Sequence, residues 1–294
     1  MKNRLLLLAA VSLLAAGCSK NGPADMRVVR ITASAETSPD SRSQIGEISS
    51  GELFMEWSVG DRIGVFGGSA SNAVMANTAT VPSYQAVFQG EIGLSDVPAY
   101  AYYPYDETVT DISSVPVSIP QDQEYVNVTS VSEYDIKASV SISQTSENEY
   151  VMKLRQMASM LRFEVDIDEV EGISPDEKVM SITLESAGDP ITGEWLYSLT
   201  DLDAGLRMAS GTSASNALNL TFYHTPEVTD IITAYAVVAP GIHKDRDFSI
   251  SIRTDRHEIS FVTKSLVDFN AGKFLTFPLN ASVLQNNDAV VTQL

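Results

Sequence analysis

Apolar and polar residues alternate along several stretches of this chain. One such stretch has Val29, Ile31 and Ala33 with polar residues between them. A period of two places the two kinds of residue on opposite faces of a strand, so the pattern predicts half-buried β-strands. Further stretches with this alternation, or with an apolar run of strand length, are residues 161–167, 218–222, 231–238 and 248–252.

Clusters of turn-forming residues separate the predicted strands. Examples are Ser-Pro-Asp at residues 38–40, Gly-Asp-Pro at 188–190 and Pro-Gly at 240–241. Only residues 151–161 have a weak helical pattern, and a strand pattern overlaps it. Many short strands without helices between them are typical of a sandwich or a barrel. The predicted fold class is therefore all-β.

The length of the chain suggests two domains. It has 294 residues, and a domain takes roughly 150 residues. A polar stretch at residues 141–149 separates two strand-rich halves of similar size. We therefore expect an N-terminal domain at residues 26–150 and a C-terminal domain, with a tail, at residues 151–294.

The charge of the chain excludes one large class of partner. Lys and Arg number 19 against 38 Asp and Glu, which gives a formal net charge of −19. DNA or RNA would be repelled at long range, because no basic run offsets this charge. With 44% hydrophobic residues the chain is expected to be globular.

The N-terminus has the pattern of an export signal. Lys2 and Arg4 precede an apolar run at residues 5–16, which is too short to cross a bilayer as a helix. The segment Leu-Ala-Ala-Gly-Cys at residues 14–18 resembles the lipobox of bacterial lipoproteins, in which the cysteine thiol becomes a thioether to diacylglycerol. We therefore expect a signal peptide at residues 1–17, a lipidated Cys18 and a short tether at 18–25.

Cys18 is the only cysteine in the chain, so no intrachain disulfide can form. The alternative for Cys18 is a spare cysteine that happens to end a signal peptide. Removal of residues 1–17 takes away Lys2 and Arg4 and no acidic residue, so the net charge of the mature chain becomes −21.

Candidate catalytic and metal-binding residues follow no known spacing. His224, His243 and His257 have no ligand neighbour at a fixed distance, so exposed or capping histidines are favoured over a zinc site. Asp201 and Asp203 resemble part of a calcium loop that lacks its distal glutamate. Convergent carboxylates stay an open alternative, but we expect no enzyme activity, no metal and no cofactor.

The glycine-rich stretch at residues 64–69 is not followed by the Gly-Lys-Ser/Thr of a phosphate-binding loop, and no Gly-x-Ser-x-Gly elbow occurs. A hairpin turn accounts for these glycines.

Seven segments, in order along the chain, resemble the Bacteroidales fimbrillin family, the subunits and accessory proteins of type V pili. They are residues 57–66 (WSVGDRIGVF), 101–105 (AYYPY), 119–123 (IPQDQ), 134–138 (YDIKA), 154–163 (LRQMASMLRF), 190–193 (PITG) and 269–277 (FNAGKFLTF). Each segment is also explained by a buried strand or a turn, so the segments indicate a fold and no active site.

The resemblance implies two tandem transthyretin-like β-sandwich domains in a lipoprotein of the outer membrane and cell surface. It also implies a fimbrial subunit or accessory protein that supports adhesion. Its candidate partners are other fimbrial subunits and a host or bacterial surface receptor. In such subunits a trypsin-like protease removes the first strand, and a strand of another subunit fills the vacated groove.

The resemblance makes residues 26–36 the candidate first strand, with Val29, Ile31 and Ala33 facing inward. Arg42 lies in a polar, proline-containing stretch that follows and is the candidate processing site. The alternative is that Arg42 is an ordinary exposed arginine and is not cleaved. Arg27 and Arg30 are worse candidates, because a paired strand resists proteolysis.

Two further alternatives stay open. The tail at residues 280–294 is either a donor strand or a frayed polar end, since its apolar residues alternate poorly. The chain could also be a monomeric surface lipoprotein that binds glycans, and this would require Trp195, Tyr197 and Tyr223 to cluster on one solvent-exposed face.

Overall fold

The structure is a computed structural model, and it describes residues 25–35, 57–68, 70–83, 85–127 and 130–294. Nearly all regular elements in these ranges are strands, and they form several sheets. The all-β prediction is therefore confirmed, and the architecture is of the β-sandwich class. The weak helical pattern at residues 151–161 belongs to two strands.

Among the described residues, nine strands lie before residue 157, and we call this part of the chain the first unit. They are β1 (Met26–Ala35), β2 (Arg62–Gly67), β3 (Ala70–Asn77), β4 (Ala86–Gly93), β5 (Tyr100–Tyr103), β6 (Val115–Ile119), β7 (Asp122–Tyr125), β8 (Lys137–Ser146) and β9 (Glu149–Gln156). Seven of them close into a barrel in the order β1-β4-β3-β2-β5-β8-β9, and the pairing of β9 with β1 completes the ring.

The remaining strands form the second unit. They are β10 (Ser159–Asp166), β11 (Val179–Ser186), β12 (Thr192–Tyr197), β13 (Arg207–Met208), β14 (Ala214–Ser215), β15 (Ala217–Phe222), β16 (Ile232–Val238), β17 (Asp247–Thr254), β18 (His257–Lys264), β19 (Phe274–Asn280) and β20 (Val290–Gln293). A short helix, α1 (Ala281–Asn286), joins β19 to β20.

Two sheets of the second unit form a sandwich. One has the order β16-β10-β19 and the other β20-β18-β17-β11-β15-β7. Their buried residues belong to one apolar core. The central strand β10 contributes one of its faces to this core, where Leu161, Phe163 and Val165 are fully buried. On its other face, Arg162 and Glu164 point outward and form an ion pair.

The barrel has its own core, which contains Trp57, Ile63 and Val65. These residues come from the segment 57–66 that the sequence singled out. Gly60 adopts a φ of +87° in the turn before β2, a conformation that glycine adopts without steric cost. The same segment also supplies Phe66 to a third core, between the barrel and the sandwich.

The two units are joined by strands as well as by this third core. β6 pairs with β12, and β7 pairs in parallel with β15, so strands from the first half of the chain extend sheets of the second. The polar residues 141–149 form the β8–β9 hairpin, and the barrel pairing continues to Gln156. The division into two tandem transthyretin-like domains stays a prediction.

Candidate functional site

The first strand is hydrogen-bonded on both sides. β1 pairs antiparallel with β4 from Met26 opposite Gly93 to Ala33 opposite Ala86. On its other side it pairs in parallel with β9, beginning with Arg30 opposite Glu149. β1 is therefore an interior strand of the barrel, although it is the first described element of the chain.

The inward face of β1 carries the three residues that the sequence predicted. Val29, Ile31 and Ala33 are each fully buried in the barrel core. Burial of a valine or isoleucine side chain contributes roughly 1.5–3 kcal/mol. Residues between them, such as Arg30 and Thr32, are exposed or half-buried on the outer face.

The Arg27 side chain forms hydrogen bonds that hold the N-terminal end of β1 to neighbouring residues. Its guanidinium donates to the Asn148 side-chain oxygen at 2.5 Å, to the Tyr150 hydroxyl at 3.1 Å and to the Asp96 carbonyl at 2.6 Å. Asn148 has a φ of 64° in the β8–β9 turn, a conformation that asparagine tolerates well. No sequence pattern indicates this role of Arg27, because its partners lie far away in the chain.

Arg30 makes weaker contacts on the outer face of the barrel. Its Nε donates to Gln89 Oε1 at 3.1 Å, and its guanidinium lies 3.8 Å from the Glu149 carboxylate. Exposed ion pairs of this kind contribute about 0–1 kcal/mol. Strand pairing and the buried side chains therefore hold β1 more than its surface charges do.

The residues that pack against β1 determine which groups would be exposed if this strand left the barrel. Ile31 lies between Phe88 of β4 and Tyr150 of β9, and Ala33 lies opposite Met152 of β9. Phe88, Tyr150 and Met152 are buried in the same core. Without β1, the facing edges of β4 and β9 would offer free backbone groups beside an apolar groove, the arrangement to which strands add. We call this feature the β1 groove.

Two predicted sites, Cys18 and Arg42, lie outside the described residues. Lipidation of Cys18 and processing at Arg42 therefore stay predictions. β1 ends at Ala35, and the next described residue is Trp57. Arg42 therefore belongs to the segment that links β1 to the rest of the barrel.

The C-terminal tail is folded onto its own sandwich. Asn280 caps α1 through a bond from the Val283 N–H at 3.0 Å, and Leu284 is buried. β20 then pairs with β18 at the edge of the six-stranded sheet, from Val290 opposite Ser260 to Gln293 opposite His257. The tail is thus neither frayed nor inserted into the β1 groove.

The aromatic residues that a glycan site would need are not together on the surface. Trp195 and Tyr197 are buried in the core between barrel and sandwich, and Tyr223 is exposed. Burial raises the pKa of the Tyr197 hydroxyl far above its usual value. The condition for glycan binding through these three residues is therefore not met.

The histidines lie apart in the fold. His243 is buried against Phe248 and Phe269, and its Nδ1 lies 2.9 Å from the Ser186 hydroxyl. Burial lowers the pKa of His243, and the charges of Asp189 and Asp268 offset this only in part.

His257 pairs with the buried carboxylate of Glu177 at 3.0 Å. Burial alone would raise the pKa of Glu177, but hydrogen bonds from the Thr254 hydroxyl, the Ser174 N–H and His257 outweigh it and lower that pKa. Among the described residues no group of His, Cys, Asp and Glu could hold a metal ion.

An open polar cleft lies between β5, β8, β9 and the turn at Leu202–Ala204. Tyr100, Ser139, Arg155 and Asp203 line it. The Arg155 guanidinium donates to Asp203 at 2.7 Å, so the principal charges of the cleft already pair with each other. In the described part of the chain, no helix is both long enough and apolar enough to span a bilayer.

Solved structures with a fold similar to this chain include two proteins from Bacteroides. A "putative cell adhesion protein" from Bacteroides uniformis is 14% identical with a TM-score of 0.53, and the match covers 91% of this chain and 96% of that one. A protein of the same description from Bacteroides ovatus is 12% identical with a TM-score of 0.52 and the same coverage. These two matches show a shared fold.

A fimbrial protein from Bacteroides ovatus is a more distant match. It is 14% identical with a TM-score of 0.43, and the match covers 88% of this chain and 49% of that one. No family model and no curated protein matches the chain.

Proposed function

We propose that this chain, which shares its fold with Bacteroides proteins described as adhesion proteins, is a lipid-anchored fimbrial subunit or accessory protein. It works by strand exchange with other subunits and supports adhesion at the cell surface. It is not an enzyme in this proposal. The observation that carries the proposal is the position of β1, an N-terminal strand held between β4 and β9 with Val29, Ile31 and Ala33 buried.

An interior strand at the beginning of a chain can be replaced in a way that other interior strands cannot. β1 is covalently joined to the other barrel strands through residues 36–56, because all of those strands follow it in the chain. One cut in that link would leave β1 held by non-covalent contacts alone. A strand from another subunit could then compete for the same hydrogen bonds and apolar positions.

Arg42 is the proposed position of that cut. Two other arginines, Arg27 and Arg30, lie in β1. Arg27 is paired with β4, and Arg30 is paired with both β4 and β9, so a protease cannot bind either of them as a free extended segment. Cleavage after Arg42 would also separate the remaining chain from a lipid on Cys18. The processed subunit would then be retained by its assembly partners.

The donor for the β1 groove needs at least three alternating apolar residues. The tail of this chain fits poorly, because Val290 and Leu294 are separated by Thr292, and its strand β20 is short. Its own packing through Leu284 would also have to be released. A strand of a different subunit is therefore the favoured donor, and the tail of another copy is the alternative.

Limited digestion tests the proposal. The mature chain from Ser19 is treated with an Arg-specific protease, the cut is located by mass spectrometry, and the product is sized by chromatography and electron microscopy. The expected result is a cut after Arg42 and exchange of β1 for an added peptide of residues 25–36. An Arg42→Ala variant should stay uncut in the link and take up no peptide, and a cleaved product that never releases β1 would refute strand exchange by this chain.

A further inference from the structure

The barrel end at which β1 begins carries three exposed apolar residues. Met26, Leu94 and Val97 are 50%, 56% and 53% exposed. The Asp25 carbonyl accepts a hydrogen bond from the Leu94 N–H at 2.9 Å, so the chain that leads back to Cys18 leaves the barrel beside Leu94. We call this surface the tether end.

The segment that carries Leu94 and Val97 is held firmly against the barrel. The Ala99 N–H donates to the Phe66 carbonyl at 2.8 Å, and Arg27 donates to the Asp96 carbonyl at 2.6 Å. Gly67 allows a close approach, since a Cβ there would lie 1.9 Å from the Val97 carbonyl oxygen. The side chains of Leu94 and Val97 are therefore exposed, although the backbone that carries them is fixed in position.

The length of the tether limits where this surface can be. The tether between Cys18 and Asp25 spans at most about 25 Å when fully extended, at 3.3–3.6 Å per residue. β1 then runs away from this end for about 30 Å, at roughly 3.3 Å per residue, and reaches Ala35 at the opposite end. A lipid on Cys18 thus keeps the tether end close to the bilayer.

We propose that the tether end rests on the lipid surface, with Met26, Leu94 and Val97 in contact with the headgroup–acyl boundary. This inference rests on the lipid anchor in the proposed function. The contact depends on apolar burial. Exposed Asp25, and Glu147 next to the Asn148 that binds Arg27, place negative charge at this end, while Arg27 is already bonded within the barrel, so anionic headgroups would not attract it.

This orientation has a consequence for processing. The link that contains Arg42 starts after Ala35, at the end of the barrel opposite the tether. Ala35 and Trp57, the described residues on either side of that link, both lie at the end away from the membrane in this orientation, which would favour access by a protease in the medium. Anchoring and processing therefore use opposite ends of the same strand.

Single-cysteine labelling tests the contact, because a lipidated Cys18 has no free thiol and the chain has no other cysteine. Leu94→Cys and Val97→Cys are made in the lipidated protein and in a form that begins at Ser19. The lipidated protein is reconstituted at low density in phosphatidylcholine vesicles. The rate of reaction with a membrane-impermeant maleimide is then compared between the two forms. Val81→Cys is the matched control, since Val81 is 65% exposed and precedes β4 at the opposite barrel end.

The expected result is labelling of Leu94→Cys and Val97→Cys that is roughly tenfold slower on vesicles, which corresponds to about 1.4 kcal/mol. Val81→Cys should react equally in both forms. Equal rates at all positions in a protein with a confirmed lipid mass would overturn this inference alone. Absence of the lipid mass would overturn the anchor and the inference together. Protection that grows with protein density would identify a second copy in place of the lipid, and would also overturn the inference.

Discussion

Ile31 of β1 lies directly opposite Tyr150 of β9 in a parallel pairing, and both side chains are buried in the barrel core. This pair joins the first described strand to the last strand of the barrel. The barrel is therefore closed only while a strand occupies the position of β1 between β4 and β9.

Truncation of Ile31 should destabilise the barrel strongly. Ile31→Ala removes a fully buried side chain, and such changes cost about 2–5 kcal/mol of unfolding free energy. Thr32→Ala on the outer face should change it by less than about 0.5 kcal/mol. Urea unfolding of both variants measures this, and equal effects would contradict the inward assignment of Ile31.

Removal of the Arg27 side chain should loosen the beginning of β1. Arg27→Ala deletes three hydrogen bonds, among them those to Asn148 and Tyr150, at an expected cost of about 1–3 kcal/mol. Hydrogen exchange at the amides of Val28 and Val29 should accelerate more than exchange in β10. Arg30→Ala is the control, because its contacts are exposed and should matter little.

The stability of the sandwich should fall in mild acid because of His243. Its pKa is lowered by burial, so the unfolded chain, with a histidine pKa of about 6.5, binds the proton more readily. The free energy of unfolding should therefore decrease as pH falls through about 6.5 toward the folded pKa, and remain constant above that window.

His243→Gln should remove this dependence, while His224→Gln, at an exposed position, should keep it. Thermal or urea unfolding at a series of pH values provides the comparison. Glu177 contributes at more acidic pH, because its folded pKa is lowered. An unchanged slope in His243→Gln would show that another group causes the effect.

Trp195 should behave as a core residue and not as a ligand-binding residue. Trp195→Ala is expected to cost about 3–5 kcal/mol, because the side chain is buried between barrel and sandwich. Tyr223→Ala should leave stability within about 0.5 kcal/mol. Glycan-array binding that is lost in a stable, folded Trp195 variant would revive the glycan alternative.

Local pattern predicted much of the fold. The period of two at residues 161–167 and 248–252 places β10 and β17 correctly, and it also identifies the buried face of β1. In β12, Trp195 and Tyr197 are two residues apart and therefore share a face, which is the signal that could have assigned both to a core. Periodicity reports which face of a strand is buried, and it does so without knowledge of the partner strand.

Pairing between distant strands could not be predicted in the same way. Nothing in residues 26–35 indicates a parallel partner at β9, and nothing in β6 or β7 indicates that they extend sheets of the second unit. These registers depend on contacts far apart in the chain. The role of Arg27 was missed for the same reason, since Asn148 and Tyr150 reach it only after the barrel closes.

Strand replacement in the β1 groove is tested by the uptake of a peptide. The mature chain is cut in the link with an Arg-specific protease and mixed with a fluorescent peptide of residues 25–36. We expect that the cut chain takes up this peptide stably, that an Ile31→Lys peptide fails to bind, and that the uncut chain binds neither. A cut chain that has lost β1, stays folded and still binds no peptide would rule out strand replacement.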